Sequence, residues 1–149
     1  MSIEPMRWFN FPNLRDDAYY KTSESSIDYN CVAWIFGDTE NWWEPAPEEE
    51  TAAYWPPGIL RESSLASYLE LFASSGYAPC ENGSFETGFT KIAIYWNPQE
   101  REFNHVAKQI DGRWSSKIGP WEDITHVTLE SLEGYLYGAV YQILRMRQI

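Results

Sequence analysis

Residues 102–118 read EFNHVAKQIDGRWSSKI and carry the strongest signal of regular structure in this sequence. The pair Asp111-Gly112 is typical of a two-residue turn between two antiparallel strands. We therefore predict strands at residues 102–110 and 113–118, with Ile110 opposite Arg113 across the turn.

This register gives the hairpin two faces, because successive side chains of a strand point to opposite sides. One face carries His105, Ala107, Gln109, Trp114 and Ser116. Ser116 is a diagonal neighbour of His105, within side-chain reach. Ser116 is therefore the first candidate for the group that orients the His105 imidazole, and Gln109 is the second.

A second stretch, residues 27–37 with the sequence IDYNCVAWIFG, predicts a short and mostly buried helix with Cys31 in its first turn. Asp28 and Asn30 are both suitable N-caps, and Gly37 is suited to end the helix. Free N–H groups at a helix start stabilise a thiolate, so we expect a lowered pKa for Cys31. The alternative is a buried structural cysteine, since Cys is among the most buried residue types.

The order of these two residues predicts a chemistry. A cysteine at a helix start, followed much later by a histidine on an antiparallel strand, is the order found in papain-like enzymes. We expect a cysteine hydrolase or acyl-transfer enzyme of the peptidase or amidase type, with Cys31 as nucleophile and His105 as base. The residues assigned to the oxyanion or to substrate positioning are Asn30, Gln109 and Trp114. His126, oriented by Asp123, is the alternative base.

The whole sequence, residues 1–149, is interpreted as one domain with an α+β fold. In this fold a short nucleophile helix packs on an antiparallel sheet, and there is one further, amphipathic helix. Residues 1–26 are expected to be an extended N-terminal segment, and residues 44–60 a loop rich in Pro, acidic and aromatic residues. Leu65, Tyr68, Leu69 and Phe72 follow helical spacing and predict a helix at 63–75. Strands are predicted at 90–96 and from about 137 onward. Trp34, Trp42 and Trp43 are the candidates for a binding groove.

The composition and charge of the sequence limit which partners and cofactors we expect. The 149 residues carry a net charge of −11, which disfavours nucleic acid and anionic membrane surfaces. We expect a peptide or amide substrate, and this charge favours a cationic peptide or a basic protein partner. No apolar run is long enough to span a membrane, and no secretory signal is visible, so we expect a cytoplasmic protein. Cys31, Cys80, His105 and His126 are too far apart in sequence to suggest a zinc site, so neither metal nor cofactor is expected.

Several short motifs resemble an uncharacterised bacterial domain family. They are Asn30-Cys31-Val32-Ala33-Trp34, His105-Val106-Ala107-Lys108-Gln109 and Gly112-Arg113-Trp114-Ser115-Ser116-Lys117-Ile118-Gly119. The resemblance runs from about residue 28 to the end, and its Cys-then-His order is similar to the papain-like superfamily, including the NlpC/P60 and CHAP amidases. It implies a papain-like fold and a thiol peptidase or amidase. Two other functions stay open: an acidic interaction or immunity-type module that binds a basic partner, and a papain-like domain without activity.

Overall fold

The structure is a computed structural model that describes residues 7–14 and 19–148, and a seven-stranded antiparallel sheet dominates it. The strands are β1 Tyr19–Ser23, β2 Ala78–Cys80, β3 Phe89–Asn97, β4 Glu102–Ile110, β5 Arg113–Lys117, β6 Asp123–His126 and β7 Ala139–Arg147. Their order across the sheet is β1-β6-β5-β4-β3-β7-β2, and every neighbouring pair is antiparallel. The helices are α1 Arg7–Asn10, α2 Cys31–Ile35 and α3 Leu65–Ser74, with a 3-10 turn at Glu130–Leu132.

The predicted hairpin is confirmed as β4 and β5. Ile110 pairs with Arg113 and Gln109 with Trp114, as the turn chemistry requires. Asp111 and Gly112 both have positive φ, 51° and 79°. Two consecutive positive φ values define the tight turn whose twist matches that of the flanking strands.

The predicted papain-like α+β fold is wrong. The sheet has seven strands, whereas the helices are only four, five and ten residues long. Three of the strands were not predicted, because their sequences lack the alternation of apolar and polar residues that marks a half-buried strand. β1 has mostly exposed side chains, β2 is an edge strand that contains Pro79, and β6 is only four residues long.

Apolar clusters cover both faces of the sheet, as alternation along the strands requires. Ile92 and Ile94 of β3 pack on one face with helices α2 and α3, and Ala93 and Tyr95 pack on the other. The first of these faces is called the helix face below, and the second is called the opposite face. Phe11, in the segment predicted to be extended, follows helix α1 and is fully buried in the cluster on the opposite face.

The remaining elements agree with the sequence in type. Ser64 caps α3 by accepting a hydrogen bond from the Ser67 N–H, within the helix predicted at 63–75. The C-terminal segment is the strand β7. Residues 1–6 and 15–18, which belong to the predicted extended segment, lie outside the described residues. Among the residues that the structure does describe, no helix is long and apolar enough to cross a membrane.

Candidate functional site

Asn30 fixes the start of helix α2 and ties it to the tryptophan-containing loop. Its side-chain oxygen accepts from the backbone N–H of Ala33 at 3.1 Å and of Trp43 at 3.2 Å. Its amide nitrogen donates to the Trp43 carbonyl at 2.7 Å. The N-cap predicted from sequence is therefore confirmed, and the same side chain brings Trp43 beside Cys31. The predicted role of Asn30 toward an oxyanion stays a prediction.

Cys31 lies on the helix face, where its side chain is 8% exposed. Burial raises the pKa of the Cys31 thiol to about 11, and it outweighs hydrogen bonds from the backbone N–H groups of Val106 and Val32 and the nearby Lys117 ammonium. The expected lowering of this pKa is wrong. Removing the thiolate from water destabilises it by more than the free N–H groups at the start of one short helix stabilise it. The resting residue is a neutral thiol.

His105, Ser116 and His126 form one buried hydrogen-bonded chain on strands β4, β5 and β6. His105 Nε2 lies 2.9 Å from Ser116 Oγ, which lies 2.8 Å from His126 Nε2. His126 Nδ1 is 2.8 Å from the Thr128 carbonyl oxygen. The proximity of Ser116 to His105 that the hairpin register predicts is confirmed. His126 is the last residue of β6, a strand that was not predicted from the sequence.

The donor and acceptor of each hydrogen bond in this His105–Ser116–His126 chain can be assigned by starting from the Thr128 carbonyl. The Thr128 carbonyl only accepts, so His126 Nδ1 carries the hydrogen. Burial lowers the pKa of His126 to about 4, so its Nε2 is bare at neutral pH and accepts from the Ser116 hydroxyl. Ser116 Oγ then accepts from His105 Nε2–H, and His105 Nδ1 is left with a free lone pair.

His105 Nδ1 has no hydrogen-bond partner among the described residues, although the side chain is fully buried. The imidazole stacks on the Tyr137 ring, with centroids 4.3 Å apart and planes 4° apart. Burial, together with His126, holds the pKa of His105 well below its usual range. The residue is therefore a neutral imidazole whose one unengaged atom is a base.

Cys31 lies next to strand β4, which carries His105, but no hydrogen bond joins the two side chains. The backbone N–H of Val106, the residue directly after His105, lies near enough to the thiol to lower its pKa. Val106 packs on the helix face with Cys31, whereas Ala107 and Tyr95, which pairs with His105, pack on the opposite face. The pairing of β4 with β5 ends at Lys108 and Ser115, so Val106 has no partner on β5 and its N–H is free for the thiol.

A cavity of about 370 Å³ opens at Cys31. Six of its fourteen lining residues are aromatic, and Glu44 is the one charged side chain among the described residues that line it. The lining residues are Asn30, Cys31, Val32, Trp42, Trp43, Glu44, Tyr68, Phe103, Asn104, Gly119, Pro120, Trp121, Leu136 and Tyr137. The same Tyr137 stacks on His105, so one side chain connects the cavity to the histidine chain.

Other predicted site residues lie elsewhere. Gln109 donates to the Gly83 carbonyl at 2.7 Å, and Trp114 is buried in the cluster on the opposite face. Trp34 lines a separate surface cavity with β5 and β6. Asp123 accepts from the Tyr29 hydroxyl at 3.0 Å, and the Thr128 carbonyl, not this carboxylate, is bonded to His126.

Four aromatic cavity residues were missed by sequence reasoning: Tyr68, Phe103, Trp121 and Tyr137. Tyr68 is on α3, where its helical spacing indicated only core packing. Trp121 and Tyr137 follow glycine-containing turns that give no periodic signal. The high aromatic content, 17% of the chain, was the one signal that pointed to such a lining.

The model of a family described as a domain of unknown function (DUF7689) matches residues 20–145, and the chain belongs to that family. The resemblance to an uncharacterised family is thereby confirmed, whereas nothing supports its papain-like, NlpC/P60 or CHAP part. No curated protein and no solved structure matches the chain.

Proposed function

We propose that this DUF7689 protein is a thiol-dependent hydrolase or acyl-transfer enzyme, in which Cys31 is the nucleophile and His105 Nδ1 is the base. The observation that supports it most is the hydrogen-bonded chain from the Thr128 carbonyl through His126 and Ser116. This chain holds His105 in the one tautomer whose Nδ1 can take a proton. His105 Nδ1 is a buried base without a partner among the described residues, and the N–H of the next residue, Val106, acts on the thiol, so the two groups that general-base catalysis would couple are neighbours along β4.

The reaction starts from two neutral groups. The Cys31 sulfur attacks the acyl carbon as its proton moves to His105 Nδ1, and the carbonyl oxygen becomes an oxyanion. The bond to the leaving group then breaks, and the imidazolium returns the proton to that group. Water or a second nucleophile attacks the resulting thioester, with His105 again as base, and the Cys31 thiol is restored.

Ser116 and the histidine behind it support the base in the charged state. When His105 becomes an imidazolium, its Nε2–H continues to donate to Ser116 Oγ, and the Ser116 hydroxyl continues to donate to His126. Because His126 has a pKa of about 4, it stays neutral and does not add a second positive charge to the site. Peptides and amides that are neutral or cationic are the proposed substrate class, in view of Glu44 and the acidic surface.

Acylation by p-nitrophenyl acetate tests the proposal. We expect a burst of one p-nitrophenolate per chain and an acetyl group on Cys31, found by mass spectrometry. The burst should be lost in Cys31→Ala and kept in Cys80→Ser. Because the base titrates below neutral pH, the acylation rate should be flat from pH 7 to pH 9, whereas a free thiol gains about tenfold per pH unit below its pKa of about 8.5.

His105→Gln should slow the acylation of Cys31 by about 10²–10⁴-fold, the usual contribution of a general base. Near-UV circular dichroism checks that this variant folds, and Ser116→Ala is the milder second variant, for which we expect an intermediate rate. Acylation that occurs only at Cys80 or lysines, or a folded His105→Gln or Ser116→Ala variant that acylates as fast as wild type, would refute the proposal.

The raised pKa of Cys31 favours a second candidate, a non-enzymatic interaction module whose acidic surface binds a basic partner. In that case Cys31 is core and stays unmodified by p-nitrophenyl acetate while the protein is folded. Binding to a basic partner would weaken steeply with salt, because interactions between exposed charges are screened. The acylation experiment therefore separates the two candidates.

A further inference from the structure

Two buried side-chain polar atoms lack a hydrogen-bond partner among the described residues: His105 Nδ1 and Trp121 Nε1. The histidine chain leaves His105 Nδ1 as an acceptor, and an indole Nε1–H only donates. A buried polar group without a partner costs about 1–3 kcal/mol, so each calls for a specific explanation. Together they amount to one free acceptor and one free donor.

Trp121, which carries one of these atoms, lines the Cys31 cavity, whereas His105, which carries the other, lies behind the lining residue Tyr137. Trp121 lines it directly and is 8% exposed, and its backbone N–H donates to the Ile118 carbonyl at 2.8 Å. His105 stacks on Tyr137, which also lines the cavity. Other tryptophans contrast with Trp121: Trp43 Nε1–H donates to Asp38 at 2.7 Å and Trp55 Nε1–H to the Leu60 carbonyl at 2.9 Å.

The rest of the lining limits the charge of the occupant. Among the described residues, no lysine or arginine lines the cavity, and the one charged side chain that does is a carboxylate, Glu44. A carboxylate or phosphate ligand would meet no cation in the lining and would be repelled by Glu44. The stacked rings of Tyr68 and Phe103, with centroids 3.7 Å apart, offer an apolar wall. Its volume of about 370 Å³ is in the range of small-molecule sites.

We propose that the cavity binds an uncharged carboxamide with an apolar or aromatic substituent, and that Trp121 Nε1–H donates to the carboxamide carbonyl oxygen. This inference names the substrate class of the proposed enzyme and so rests on that function, but the binding step needs no chemistry at Cys31. The carbonyl oxygen gives the indole N–H its missing acceptor, and the apolar substituent packs on the aromatic wall. In turnover the same contact would support the oxygen as its negative charge develops.

Phenylacetamide and phenylacetate are the probes, because they share a ring and differ in the charge of the carboxyl group. Titration calorimetry on Cys31→Ala removes the nucleophile and measures binding alone. We expect phenylacetamide to bind and phenylacetate to bind at least tenfold more weakly. Trp121→Phe in the same background should weaken phenylacetamide about five- to tenfold, the loss of one hydrogen bond.

Trp55→Phe is the matched control, since Trp55 is not among the residues that line this cavity and its indole N–H is already bonded to the Leu60 carbonyl. We expect it to change the phenylacetamide affinity by less than about threefold. An amide spectrum with ¹⁵N-labelled protein gives a direct readout. The indole cross-peak that disappears in Trp121→Phe should move downfield on addition of phenylacetamide, and the Trp55 peak should not.

The possible results separate this inference from the proposed function. Binding of phenylacetamide with a shifted Trp121 peak, but no burst with p-nitrophenyl acetate, would support the inference and refute the enzyme. A burst at Cys31, together with an unmoved Trp121 peak and unchanged affinity in Trp121→Phe, would refute the inference alone. Failure of phenylacetamide to bind, or binding of phenylacetate as tightly, would also overturn it.

Discussion

Acid should destabilise this protein through its buried neutral histidines, and His126 gives a magnitude. Its pKa is about 4 in the folded protein and about 6.5 in the unfolded chain. Above pH 6.5 neither state binds the proton, and between pH 6.5 and 4 only the unfolded state does. The free energy of unfolding therefore falls as pH falls through this window, and the loss levels off below pH 4.

Integrated from pH 7 to pH 5, linkage gives a loss of about 2 kcal/mol for His126. His105 adds a further loss of the same sign, because burial also lowers its pKa well below the usual range. This is a large part of the stability of an ordinary domain, about 5–15 kcal/mol in total. Both losses of stability have one cause, because a charged His105 or His126 imidazole in the folded protein would be buried away from water without an anionic partner.

Urea unfolding followed by tryptophan fluorescence at pH 7, 6 and 5 measures the loss. His126→Gln, whose amide can still donate to the Thr128 carbonyl, should remove about 2 kcal/mol of the pH dependence. Val127→Ala is the control, because Val127 is the exposed neighbour and should leave that dependence unchanged. An equal pH dependence in His126→Gln and wild type, or both histidines titrating near pH 6.5 by NMR, would refute the reasoning.

Two further substitutions test the surroundings of the site. Gly83→Ala would place a Cβ 2.9 Å from the Trp114 ring, and we expect a loss of about 1–3 kcal/mol by urea unfolding, against little change for the exposed control Ser84→Ala. Lys117→Met removes the cation that lowers the pKa of Cys31, so the thiolate absorbance at 240 nm should appear at higher pH than in wild type; an unchanged thiol titration would show that Lys117 does not act on Cys31. The same variant should unfold more easily, because the ammonium donates to the Ser26 and Gly119 carbonyls.

The sequence predicted those parts of the fold and site that depend on local rules. A two-residue turn at Asp111-Gly112 fixes the hairpin register, and the register places Ser116 beside His105. The Asn30 cap follows equally from the preference of helix starts for a side-chain acceptor. These contacts needed no knowledge of the rest of the chain.

What the sequence did not predict depends on distant packing. The pKa of Cys31 is set by the side chains that bury it, and the free N–H groups of a helix start were the only part of its surroundings visible in sequence. The link from Ser116 to His126 requires β6 to pair with β5, and the short segment 123–126 carries no strand pattern. The overall class was mistaken for the same reason, since edge strands of three to five residues are defined by their partners rather than by their own residues.

The geometry of β4 decides whether the thiol and the imidazole act together. Alternation places Val106 and His105 on opposite faces of the sheet, which separates a nucleophile on the helix face from a base on the other. Beyond Lys108 the pairing of β4 with β5 ends, while β5 continues along β6 through Lys117. In this gap the thiol reaches the Val106 N–H, and Tyr137 connects the cavity to the imidazole. The proposed chemistry therefore requires that the Cys31 thiol on the helix face and His105 Nδ1 on the opposite face meet at this gap in strand pairing.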